Sequence, residues 1–132
     1  MYSKFEIQDL LEEIKRLIHS KSYMISTGEN RKKNEEFMIE FNLDDKKICE
    51  LLMQIDYSDF CECLHPYDVL RNHEDYYLFA PEFTLRDLFG DVSQVVVYVK
   101  IIIKNDKKNQ PFLVVVSFHR PDKSKALNYQ FK

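Results

Sequence analysis

Tyr98, Lys100, Ser117 and His119 are the residues whose types and spacing can do chemistry together in this chain. They lie in two apolar stretches, 92–104 and 112–120, whose side chains alternate between two faces. When such stretches pair as strands, Tyr98 and Lys100 share a face with Ser117 and His119. An imidazole has an unperturbed pKa of about 6.5 and exchanges protons near neutrality. Lysine adds a fixed cation, and a phenol adds a hydrogen-bond donor. Cleaving RNA without a metal needs such a set: a base for the 2′-hydroxyl proton, a cation for charge on the phosphate, and an acid for the leaving 5′-oxygen. Arg120 follows the second stretch and can hold a phosphate bidentately. Tyr76 and Tyr77 offer rings on which a base can stack. The plainer alternative is that Tyr98 and Lys100 belong to the wet face of an antiparallel sheet, with His119 at a strand end.

These residues need a sheet to hold them. In 92–104, Val95, Val97, Val99, Ile101 and Ile103 form one all-apolar face. In 112–120, Phe112, Val114, Val116 and Phe118 form another. If both all-apolar faces meet the core, odd positions of the first strand sit opposite even positions of the second. The polar run 105–110, followed by Pro111, reads as the hairpin turn.

Upstream, Ser3 and Glu6 have the spacing of a capping box, and Ile7, Leu10, Leu11, Ile14, Leu17 and Ile18 recur at helical spacing, predicting a helix over 4–20. Residues 22–26 suit a short strand and 27–33 a polar loop. Further helices are expected over 33–41 and from about Asp44, then strands over 58–63 and 76–79. Residues 65–75 have turn chemistry, 81–91 read as loop or a helical turn, and Tyr129 and Phe131 argue that the basic tail docks on the body. Helices first and sheet afterwards predict an α+β fold: N-terminal helices packed on a small antiparallel sheet ending in a long C-terminal hairpin.

Composition narrows the function classes. A chain of 132 residues, 45% hydrophobic and 31% charged, suits a single globular domain spanning 1–132. Two glycines, Gly28 and Gly90, are too few for a P-loop or a dinucleotide-binding turn. The net charge of −3 argues against indiscriminate nucleic-acid binding, yet lysines and arginines gather after position 100. No run is apolar enough to cross a bilayer and no targeting signal is visible. Three cysteines (Cys49, Cys61, Cys63) leave at least one unpaired and suit reduced thiols in the cytoplasm. Four histidines stand far apart and Cys61-Glu-Cys63 alone is no zinc motif, so neither a metal nor another cofactor is expected. Cys61 with His65 or His73 can be drawn as a dyad, but no nucleophile signature surrounds it.

Val97-Tyr-Val-Lys-Ile101 followed by Val115-Val-Ser-Phe-His119 resembles the terminal strands of the MqsR-family toxins of bacterial toxin–antitoxin systems. Ser58-Asp-Phe60, Asp75-Tyr-Tyr-Leu-Phe79 and Asn128-Tyr-Gln-Phe-Lys132 extend the likeness in the family's order. The resemblance implies a RelE-like fold and a metal-independent endoribonuclease that cuts mRNA, ribosome-bound or not, and is held in check by a cognate antitoxin. It carries functional roles onto Tyr98 and His119. Lys100 and Arg120 are then expected to hold phosphate charge, and Tyr76, Tyr77, Ser117 and Lys132 to contact substrate. Two departures stand out: Glu62 falls where some members have lysine, and Glu74 falls near a glutamine. The alternative is a non-catalytic protein-interaction module on the same fold.

Overall fold

A computed structural model describes residues 2–64, 74–124 and 126–132. Three helices lie in the first half of the described chain: α1 (Lys4–His19), α2 (Lys32–Glu40) and α3 (Asp45–Leu52). The expected capping box is formed, with the Glu6 amide donating to Ser3 Oγ at 3.1 Å and the Ser3 amide donating to Glu6 Oε1 at 3.0 Å. Asp44 caps α3 by accepting from the Lys47 amide at 2.8 Å. The buried sides of α1 (Ile7, Leu11, Ile14, Leu17) and α3 (Ile48, Leu52) follow the helical period read in the sequence.

Seven strands follow the order β1 (Tyr23–Ile25), β2 (Phe60–Leu64), β3 (Tyr76–Phe79), β4 (Glu82–Arg86), β5 (Val92–Val96), β6 (Tyr98–Asn105) and β7 (Pro111–His119). Five of them form a sheet in the order β1-β7-β6-β3-β2, and β4 pairs with β5 in a separate two-stranded sheet. The fold is α+β. The main sheet is not wholly antiparallel, because β1 runs parallel to β7, with Tyr23 opposite Leu113 and Ile25 opposite Val115. The last strand of the sequence therefore lies inside the sheet.

Two further expectations are corrected. The stretch 92–104 is not one strand: β5 belongs to the small sheet, and the chain crosses at the buried Val97 into β6. Residues 82–86 are not loop. Phe83 and Leu85 are buried while Glu82, Thr84 and Arg86 are exposed, which is the alternation of a half-buried strand.

The single parity expected along β7 also fails. Lys100 pairs with Ser117 but the next residue, Ile101, pairs with Val115, leaving Val116 as an extra residue. This β-bulge flips the alternation. Phe118 faces the core on one side of it, and Val115 and Leu113 face the core on the other. Asn34 of α2, 1% exposed, supplies the bonds the bulge disrupts. Its amide donates to the carbonyls of Val116 (3.0 Å) and Ser26 (2.9 Å), and its Oδ1 accepts from the Phe118 amide (2.9 Å). Asn34 thus fastens the first turn of α2 to the end of β7.

The tail docks as expected. Tyr129 donates to the Ala80 carbonyl at 2.6 Å, the Gln130 amide donates to the Phe60 carbonyl at 3.1 Å, and Phe131 packs edge-on against Tyr57. No helix among the described residues is long and apolar enough to cross a membrane.

Candidate functional site

Beyond the bulge, the register places Tyr98 directly opposite His119 and Lys100 directly opposite Ser117. The two rings of the first pair lie nearly parallel, 5.4 Å between centroids with an 11° interplanar angle. Both are half-buried. His119 Nδ1 is 2.6 Å from the Arg120 carbonyl. A carbonyl only accepts, so Nδ1 carries the hydrogen and Nε2 carries the lone pair of the neutral ring. Burial holds the His119 pKa below its ordinary value, and the charges of Lys33, Lys100 and Arg31 push the same way; the bond to the Arg120 carbonyl opposes them. At neutral pH the ring is therefore neutral and able to accept a proton at Nε2. Burial, with the nearby Glu62 carboxylate, raises the Tyr98 pKa and keeps the phenol protonated.

Lys33 and His119 stand between two grooves. One, of about 220 Å³, is bordered by Glu29, Arg31, Lys32, Lys33 and Ser117 together with His119. The other, of about 280 Å³, lies over Phe37 and is bordered by Glu36, Glu40, Arg120 and Asp122 as well as by Lys33 and His119. Arg31 and Lys33 were missed in the sequence, where 27–33 read simply as polar loop. The run Arg31-Lys32-Lys33 was the available signal, but only the Asn34 anchor brings it beside His119.

The structure sorts the other expected residues. Lys100 lies on the face of Tyr98, with its ammonium 5.5 Å from the centre of the Tyr76 ring. Tyr76 donates to Glu74 Oε2 at 3.0 Å, and Glu74 also pairs with Lys104 at 3.1 Å. Ser117 is 7% exposed and sits at the edge of the first groove. Arg120 does not join them. Its guanidinium forms a two-pronged pair with Glu40, one arm 2.8 Å long, and lies over the rings of Phe41 and Phe37 at 5.2 and 5.8 Å. Tyr77 projects to the opposite face of the sheet, where it packs edge-on against Tyr2. Lys132 sits over the Tyr129 ring at 4.3 Å, on the side of Asp59 and Cys61 at the β2 edge. These three leave the candidate site.

Glu62 proves closer to the chemistry than its position in the sequence suggests. Successive pairings place Glu62, Leu78, Lys100 and Ser117 in one row across four strands. Two strand spacings put the Glu62 backbone about 10 Å from that of Lys100. Cys61 is buried and its thiol is pushed up to about 11, chiefly by desolvation, which makes it a poor nucleophile. His65 and His73, its partners in the drawn dyad, lie outside the described residues. No group of three metal-ligating side chains converges among the described residues.

No protein-family model, curated protein or solved structure matches this chain.

Proposed function

We propose that this protein is a cytoplasmic, bacterial endoribonuclease toxin of RelE-like fold, cutting mRNA and restrained by a cognate antitoxin. The observation that carries the reading is the stacked Tyr98–His119 pair, with Nε2 of a neutral imidazole at the boundary of a cation-rimmed groove. Nε2 takes the proton of a ribose 2′-hydroxyl, and the 2′-oxygen attacks the adjacent phosphorus. The bond from phosphorus to the 5′-oxygen breaks, and that oxygen leaves as a hydroxyl with a proton supplied by water. The products are a 2′,3′-cyclic phosphate and a 5′-hydroxyl end. Tyr98, held protonated, donates to a non-bridging phosphate oxygen, and Lys100 balances the charge that builds there. The strand motifs around Tyr98 and His119, and their order along the chain, support the assignment to MqsR-like toxins.

One observation favours the non-catalytic alternative: Glu62 places a carboxylate on the same face as Lys100, where it repels phosphate. Mapping RNA ends after incubation with purified protein, with and without EDTA and with free or ribosome-bound mRNA, separates the two. The enzyme reading expects 5′-hydroxyl ends in both EDTA arms. It also expects His119→Ala to lower the rate about 10²- to 10⁴-fold, the usual scale for losing a proton-transfer group. Intact RNA in every arm, or full activity in His119→Ala, overturns it.

A further inference from the structure

The two grooves that meet at His119 carry opposite charge. The first is bordered by three cations, Arg31, Lys32 and Lys33, against one carboxylate, Glu29. In the second, Glu40 and Arg120 pair with each other, leaving two carboxylates, Glu36 and Asp122, against Lys33. Among the described residues no carboxylate pairs with Arg31 or Lys33. From this asymmetry we propose that the turn carrying Arg31 and Lys33 is a second phosphate subsite, and that the RNA strand leaves His119 across this turn and not through the groove over Phe37.

The inference rests on the nuclease reading for its ligand, a single RNA strand, and adds where that strand lies. From His119 a polyanion can enter either of the two grooves. Along one it meets three cations on a short 3₁₀ turn (Glu29–Arg31) and the start of α2. Along the other it meets a carboxylate-rich wall. Backbone phosphates supply most of the affinity in such complexes, so the charge difference fixes the route. The turn is also held in place: the Asn34 bonds tie the start of α2, which follows it, to Val116 and Phe118, three and one positions before His119. The Arg31 and Lys33 side chains are exposed, so removing them leaves the core intact.

The test uses a 2′-O-methyl RNA octamer, which binds but cannot be cleaved, titrated by fluorescence anisotropy over a range of salt. Arg31→Ala/Lys33→Ala is expected to weaken binding about tenfold and to flatten the slope of log K against log salt by about 1.4, since each lost single-strand phosphate contact contributes about 0.7. Lys107→Ala/Lys108→Ala, at the far turn of the hairpin, is expected to match wild type. Glu36→Lys is expected to leave the slope unchanged. An unaltered slope in the Arg31/Lys33 variant, or a steeper one in Glu36→Lys, overturns the route. Displacement of the octamer by an equally charged polyglutamate peptide at equal concentration overturns RNA as the ligand. Because the octamer is not cut, loss of the subsite and loss of the nuclease reading are distinguishable. A flattened slope with no cleavage of ordinary RNA removes catalysis alone, and cleavage with an unaltered slope removes the subsite alone.

Discussion

The two faces of the β6–β7 hairpin are made by the same strands and do different work. The inner face, Val99, Ile101, Leu113, Val115 and Phe118, is fully or almost fully buried and holds no titratable group. The outer face sets Tyr98, Lys100, Ser117 and His119 against one another, all but the buried Ser117 partly open to solvent. Period-two geometry makes this division possible, since every apolar residue that anchors the strand leaves its neighbour pointing away from the core. The difference teaches that stability and chemistry are separable here to within one residue: Phe118 belongs to the first and His119 to the second.

The largest stability effect should come from the inner face. Phe118→Ala removes a ring packed at 5.9 Å from Phe37 and 6.4 Å from Phe83, and should cost about 3–5 kcal/mol in denaturant unfolding. The folded fraction should keep a cleavage pH profile with the wild-type midpoint, and a moved midpoint would break the separation of faces.

A smaller effect concerns that profile itself. On the proposed mechanism cleavage needs the neutral imidazole, so the rate should rise with pH through the lowered His119 pKa, with a midpoint below the ordinary 6.5 of free imidazole. Burial is the leading cause of the shift, so it should survive high salt, while Lys33→Ala should move the midpoint up slightly. Stability follows the same sign. With the folded pKa depressed, the unfolded chain binds more protons below about 6.5, so acid lowers stability through this residue and nothing is gained above that pH. A salt-sensitive midpoint at or above 6.5 would contradict the assignment.

The smallest effect is expected at Arg120, next in sequence to His119. Its pair with Glu40 is exposed, so Arg120→Ala should cost less than about 1 kcal/mol and leave the octamer salt slope unchanged. A flattened slope would return Arg120 to the phosphate site.

Much of this was legible in the sequence. Local periodicity located the helices, and the polar run 105–110 marked the turn between β6 and β7. That Tyr98 and His119 share a face followed from alternation alone; that they stand directly opposite one another did not. The bulge did not, because Val114, Val115 and Val116 are identical in type and carry no mark of which is extra. Nor could any local pattern show that β1 pairs with β7, that Glu40 claims Arg120 from 80 positions away, or that Asn34 brings the basic turn to His119 across 84 and 82 positions. Strand β4 was readable in principle; Phe83 and Leu85 alternate with polar neighbours, but five residues after a proline gave the pattern too little length.

The topology has a consequence for synthesis. Because β7 is wedged between β1 and β6, the sheet waits for a segment made well after the helices, and its parallel partner lies some 90 positions upstream. Chains grow from the N-terminus and such distant pairings form slowly. A nascent chain on the ribosome thus has no assembled imidazole–phenol pair until β7 has emerged, and under the proposed nuclease reading the message being translated is spared until then.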